Sequence, residues 1–152
     1  MKYYLAYGSN LDTTSFYKRC PNAKLVTTAT MEGYKLSFKR LNELSNTYLT
    51  IEKDESSEIP IAIYKISTED EKALDYYESI HTNLYYKVET ELLLHNQRVL
   101  TLTYIMNDSS IYGLPSDDYY KLVKKGYMEH DFDIKYLEEA LQRSKKWVNK
   151  ND

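Results

Sequence analysis

The chain has 152 residues, a formal net charge of −3 and a pI near 5.7. That length suits one domain, 1–152, with a core that needs neither a disulfide nor a metal to hold it. The mild acidity argues against nucleic acid as a partner, because phosphate binding favours a positive footprint. Cys20 is the sole cysteine, so an internal disulfide is excluded and a reducing compartment is the simplest setting. The start, Met1 to Tyr7, is apolar for too few residues to be a signal peptide or a membrane span, and no later stretch is long and apolar enough. A soluble, cytoplasmic protein without membrane contact is expected, and the sequence is compatible with a monomer or a homodimer. Tyrosine is over-used, with 17 copies against 3 Phe and 1 Trp. Such a bias furnishes core and surface alike, and a few hydroxyls can serve as handles on a pocket wall.

In chain order, 2–7 reads as a short, mostly buried strand, because both of its alternating sets are largely apolar. Gly8-Ser9-Asn10 breaks it. Asp12 is placed to cap a helix over 13–19, which Cys20-Pro21 ends. Tyr34, Leu36 and Phe38 alternate with polar residues, as do Leu49 and Ile51, which predicts strands there. Asp54-Glu55-Ser56-Ser57-Glu58 reads as a polar turn, and 59–66 as a strand that begins near Pro60. Thr68, three residues before Glu71, has the spacing of a capping box and predicts a helix over about 69–78. Strands near 84–94 and 98–106 follow, joined at His95-Asn96-Gln97. Ser116 is placed to cap a helix with acids in its first turn, which Gly126 is expected to stop. A last helix over about 134–148 carries Ile134, Leu137, Leu141 and Val148 on one stripe, with Trp147 packing it onto the body. About six strands with short helices gathered at the end predict an α+β domain, its small mixed or antiparallel sheet rolled into a barrel.

Two segments carry candidate chemistry. At Tyr7-Gly8-Ser9-Asn10-Leu11 a strand stops in a turn whose successive N–H groups form an anion-binding concavity. Gly8 permits close approach of the main chain to a ligand, and Ser9 and Asn10 add side-chain donors and acceptors. Taken alone, such a turn is more often ordinary. Glu78 shares a helix face with Leu74, so it points toward the edge of the core, either solvated or salt-bridged, or held where burial raises its pKa.

Together, strand, Tyr-Gly-Ser-Asn-Leu and a Leu74-Asp75-x-x-Glu78 segment roughly seventy residues on resemble the γ-glutamyl cyclotransferases and their AIG2-like relatives. Tyr85, opening the strand after Glu78, Tyr104 in Thr103-Tyr104-Ile105, and Pro115-Ser116-x-x-Tyr119 resemble further family positions, and the similarity runs from about residue 3 to 141. Two departures are Ser79 where the family often has Gly, and Asn46-Thr47-Tyr48-Leu49 where many members are rich in Gly or Ala. The resemblance implies cyclisation of a γ-glutamyl amide, amine or small peptide to 5-oxoproline, without cofactor or metal. It implies Glu78 as acid/base catalyst, a substrate held by Tyr7, Gly8, Ser9, Asn10 and Leu11, and pocket walls from Tyr85, Tyr104 and Tyr119. A non-catalytic module binding a small polar ligand in the same pocket is the alternative, since fold does not fix function.

The remaining candidates read as structural. His81 is a loop histidine, His95 lies in a turn, and His130 stands among acids; three scattered His and one Cys give no metal-ligand spacing. Asp75 and Glu78 sit on adjacent turns of one helix and do not flank a cleft as glycosidase carboxylates do. Cys20 reads as buried or neutral, and Lys145-Lys146 as a solvated helix face.

Overall fold

The computed structural model describes residues 2–78 and 84–151. Six strands form one mixed sheet: β1 (Lys2–Ala6), β2 (Lys24–Arg40), β3 (Tyr48–Ile66), β4 (Tyr85–Leu94), β5 (Gln97–Met106) and β6 (Ile111–Tyr112), in the order β4-β5-β1-β3-β2-β6. Four helices accompany them: α1 (Thr13–Arg19), α2 (Thr68–Tyr77), α3 (Asp117–Glu129) and α4 (Lys135–Asn151). No helix among the described residues is long and apolar enough to cross a membrane.

β1 is central. It runs antiparallel to β3, with Leu5 opposite Ile63, and parallel to β5, with Tyr4 opposite Leu102. Both faces are covered, which is why Tyr4, Leu5 and Ala6 are all buried and the strand lacks a clean alternation. β1 is short, and the far ends of β4 and β5 fold over onto β3. Met106 N–H donates to Thr50 Oγ1 (2.9 Å) and the Tyr85 hydroxyl donates to the Leu49 carbonyl (2.8 Å). The sheet thus curls into an open half-barrel, the form in which the expected rolled sheet is present.

β2 and β3 are longer than their periodicity shows. Over 24–30, β2 is mostly exposed and Thr-rich, so no apolar period marks it. The polar stretch 54–58 does not end a strand as expected. It belongs to β3, where residues 54–57 stand opposite Gly33 alone, since Glu32 pairs Glu58 and Tyr34 pairs Lys53. Turn chemistry persists inside this bulge: Asp54 Oδ1 accepts from Ser56 N–H (3.1 Å) while Gly33 adopts φ +88°. Pro60 is tolerated because β1 ends at Ala6, opposite Ala62, so its missing N–H faces no partner strand.

The cap of α2 lies one residue earlier than the spacing of Thr68 and Glu71 suggested. Ser67 Oγ accepts from Asp70 N–H (3.1 Å), and Asp70 Oδ2 accepts from Ser67 N–H (3.0 Å). Glu71 instead pairs with Lys2 (2.8 Å) and Lys87 (2.7 Å), tying α2 to β1 and β4. Replacing Ser67 with Ala is expected to cost about 1–2 kcal/mol, because it leaves the Asp70 N–H without its cap, while the Asp70 carboxylate keeps its bond to the Ser67 N–H. Thermal denaturation should show this as a fall of about 2–8 °C in Tm.

The β4–β5 turn uses only His95 and Asn96, both at positive φ (50° and 64°), and Gln97 already belongs to β5. This is the two-residue turn whose twist matches the flanking strands. α3 does not stop at Gly126. It continues to Glu129 and ends where Asp131 turns left-handed (φ 57°). α4 packs on β2 along Leu137, Ala140 and Ser144, with Ser144 Oγ donating to the Phe38 carbonyl (3.1 Å). Ile134 and Leu141 flank that line at half depth, and Trp147 meets the Tyr112 ring at 6.1 Å.

The tyrosine bias resolves into both expected uses. Tyr64 packs in the core, its ring 4.4 Å from Phe16, whereas Tyr76 is exposed and Tyr4, Tyr7, Tyr85 and Tyr104 surround the cleft described next. Cys20 is fully buried, and burial pushes its thiol up to about 12, so it is an inert packing residue at neutral pH.

Candidate active site

The site forms where β1 gives way to a single 3₁₀ turn, Ser9–Leu11. The turn's own bonds begin with Leu11 N–H to the Gly8 carbonyl (3.0 Å) and Asp12 N–H to the Ser9 carbonyl (3.1 Å). The N–H groups of Ser9 and Asn10 precede them and stay outside that ladder. Asp12 then caps α1, accepting from Ser15 N–H (3.3 Å), as its position predicted.

Tyr7, Gly8, Ser9 and Asn10 form one wall of a small cleft, and Glu78 stands across from them. Tyr85, Tyr104 and Tyr119 complete the predicted set, arriving from β4, β5 and α3. A Cβ on Gly8 would lie 3.5 Å from Leu49 Cδ2 and 3.9 Å from the Tyr119 hydroxyl, so the missing side chain is part of the cleft floor. Leu11, expected with this group, lies beneath the turn instead. It is fully buried, and its Cβ lies 2.7 Å from where a Cβ on Gly126 would be.

Glu78 is the C-cap of α2, its N–H bonded to the Leu74 carbonyl (2.8 Å). Leu74 is fully buried, and the shared face carries Glu78 to the cleft as the i, i+4 spacing required. Glu78 Oε1 accepts from Asn10 Nδ2 at 3.3 Å. Loss of hydration lifts its carboxyl from the ordinary 4.5 to about 7, against the opposing pull of the Arg19 guanidinium. Ser79 and His81 lie outside the described residues.

The phenols divide into two groups by what their protons do. Tyr7 donates to the Tyr104 carbonyl (2.6 Å), Tyr85 to the Leu49 carbonyl (2.8 Å) and Tyr104 to Asp75 Oδ1 (2.6 Å). Those three protons are committed. Tyr4 and Tyr119 instead accept, from Asn10 Nδ2 (2.8 Å) and from Leu49 N–H (3.0 Å), which leaves their own O–H protons free to donate. Burial, reinforced by the nearby Glu78 charge, raises the pKa of both phenols, so they are neutral donors at neutral pH. A carboxyl that exchanges protons near pH 7, beside N–H and O–H donors, is suited to proton transfer and to holding an anion.

The cleft has room for about 20 Å³, enough for one water. A larger ligand therefore needs its walls to part. The contact between Ser9 Oγ and the Tyr77 hydroxyl, exposed and long at 3.3 Å, joins the loop wall to the helix wall.

Tyr4, Leu49, Asp75 and Arg19 were not singled out for this site from the sequence. Tyr4 looked like core, and Leu49 enters only because β3 curls over β1. In the sequence Asp75 stands out only as one half of a carboxylate pair. It holds the Tyr104 hydroxyl, while Lys87 (2.9 Å) balances its charge. Arg19 reads as an ordinary cation in the last turn of a short helix. It donates to Asn10 Oδ1 and lies 3.7 Å over the Tyr77 ring.

Against known proteins, the family model described as "Gamma-glutamyl cyclotransferase, AIG2-like" matches residues 4–127. The human γ-glutamylcyclotransferase is 26% identical over 141 residues, 89% of this chain and 74% of that protein. The bovine γ-glutamylcyclotransferase is 25% identical over 138 residues, 88% of this chain and 73% of that protein. A solved structure named as a γ-glutamyl cyclotransferase superposes with a TM-score of 0.80 at 23% identity, covering 91% of this chain and 85% of that one, and so shares the fold. The match across 4–127 spans both the turn after β1 and the acid at the end of α2, and on it the chain belongs to the γ-glutamyl cyclotransferase, AIG2-like family as an enzyme of that type.

Proposed function

We propose that this enzyme converts a γ-glutamyl amine, amide or small peptide to 5-oxoproline and the free amine, with Glu78 as general base and then general acid. One observation carries the reading: a carboxyl whose pKa burial lifts to about 7 faces, at 3.3 Å, the turn that ends the first strand. Such an acid is split between its two forms at neutral pH and can both take and return a proton.

The reaction needs no protein nucleophile. The substrate's own α-amine attacks the γ-carbonyl and closes a five-membered ring, a step favoured by very high effective molarity once the conformer is held. The new bond joins the α-nitrogen to the γ-carbon, and the bond from that carbon to the departing nitrogen breaks. Of the three α-ammonium protons, one stays on the ring nitrogen and two end on the amine, which leaves as an ammonium ion. Glu78 carries protons in that direction. The N–H groups of Ser9 and Asn10 suit the substrate carboxylate, and the free Tyr4 and Tyr119 hydroxyls suit the oxyanion of the tetrahedral intermediate. Tyr7, Gly8, Tyr85 and Tyr104 shape the walls. As written the chemistry calls for no metal or cofactor, and the lone buried thiol suits a reducing, cytoplasmic setting.

The test is 5-oxoproline formation and amine release over a panel of γ-glutamyl amino acids, γ-glutamyl amines and ε-(γ-glutamyl)-lysine. Turnover of at least one member is expected. Saturable binding across the panel with no turnover would replace the enzyme reading with that of a binding module.

A further inference from the structure

We propose that Arg19 is a positioning residue for this reaction: by donating to Asn10 Oδ1 it turns the Asn10 amide so that Nδ2 faces the Glu78 carboxyl, and so keeps that carboxyl able to ionise. The inference rests on the reading of Glu78 as the acid/base group.

An Asn side chain offers an acceptor at one end and donors at the other, and the two ends exchange by a half-turn. Arginine has no acceptor. Once Arg19 Nη2 is set against Asn10, only Oδ1 can face it, and Nδ2 is directed at Tyr4 (2.8 Å) and Glu78 (3.3 Å). Asn10 is itself buried, so the amide has few other ways to satisfy both ends. Arg19 is in turn held by stacking on the Tyr77 ring at 3.7 Å, while its buried Nε has no partner among the described residues.

The other groups around Glu78 do not supply what Arg19 supplies. Tyr4 faces it from β1, Tyr7 from the residue that follows β1, Tyr85 from β4, Tyr104 from β5 and Tyr119 from α3, and all five are phenols that stay neutral in the working pH range. Tyr77 adjoins it on its own helix. Among the described residues Arg19 is the one cation whose charge favours the carboxylate form of Glu78. Without it Asn10 is free to turn Oδ1 toward Glu78, an arrangement satisfied only when Glu78 is protonated. Charge and orientation therefore act in the same direction.

The experiment compares wild type, Arg19→Met, which removes both effects, and Arg19→Gln, which keeps a donor but not the charge. Two readouts are taken: titration of the Glu78 side-chain carboxyl by ¹³C NMR in the ligand-free protein, and kcat/KM against pH on the best panel substrate. In Arg19→Met the Glu78 titration and the acid limb of kcat/KM are expected to move together to higher pH by about one unit or more, roughly tenfold in the ratio of ionised to protonated Glu78. Arg19→Gln should fall between the two. A Glu78 titration unmoved in Arg19→Met, or in Arg19→Gln if the methionine variant does not fold, would overturn the proposal. So would an activity loss of equal size at every pH. If wild type turns over no panel member the cyclisation reading falls, and the NMR titration alone decides the role of Arg19.

Discussion

Replacing Glu78 with Gln is expected to lower kcat by at least about 10²-fold while the fold is kept, since this is the low end of what one positioned acid/base group contributes. The amide preserves the shape of the side chain and can still contact Asn10, but it cannot move a proton. Stability should change in the opposite sense to activity. Burial lifts the Glu78 carboxyl from 4.5 to about 7, so between those values the native state keeps a proton that the unfolded chain has released. Stability therefore is full below the lower value and falls as pH rises toward the upper one, by on the order of 3 kcal/mol at most. Gln does not ionise, so the variant should match wild type near pH 4 and exceed it near pH 8. Steady-state kinetics beside thermal denaturation at the two pH values checks both halves. A variant cyclising within a few-fold of wild type would remove Glu78 from the mechanism.

Gly126→Ala is expected to destabilise the protein by about 1–3 kcal/mol and to lower kcat/KM as well, although alanine is the better helix former. On an open helix face the change would stabilise. Here the added Cβ would stand 2.7 Å from Leu11 Cβ and 2.8 Å from both Asp12 N and the Leu11 carbonyl carbon. Two of those three contacts are backbone, which cannot swing aside. Asp12 N–H closes the turn onto the Ser9 carbonyl (3.1 Å), and the same junction is clamped by Lys125 on Asp12 (3.1 Å) and by His130 Nε2 at the Leu11 carbonyl (3.0 Å). Relief of the clash must therefore shift the turn that carries Ser9 and Asn10. A displacement approaching 1 Å there would cost up to about 10²-fold in rate. Tm should fall by about 2–12 °C. Wild-type Tm together with wild-type kcat/KM in this variant would show that α3 does not set the position of the turn.

Gly126 also marks a limit of local sequence pattern. A glycine after two lysines near a helix end has the form of a stop, and only the approach of Leu11 and Asp12 reveals it as a contact point within the helix. The polar run 54–58 misled in the same way. Its side chains do make turn-like bonds, but the pairing of Gly33's neighbours with Lys53 and Glu58 carries the strand past them. The cap of α2 was displaced by one residue because Ser67-Asp70 and Thr68-Glu71 have the same spacing, and Lys2 and Lys87 draw Glu71 away.

By itself the sequence determined the elements whose signals are local. These are the buried first strand, the break at Gly8, the caps at Asp12 and Ser116, the hairpin and the placing of Glu78 on the face of Leu74, because capping, turn chemistry and side-chain period act over a few residues. It also carried the pairing of the Tyr-Gly-Ser-Asn-Leu turn with Glu78, through family resemblance. Only the tertiary structure decided the environment that gives that acid its character. Burial by phenols from three strands and a helix, the Leu49 floor supplied by the curl of β3 and the Arg19–Asn10 contact each join residues distant in the chain. Desolvation and amide orientation are properties of what surrounds a group in space, and no local pattern encodes them.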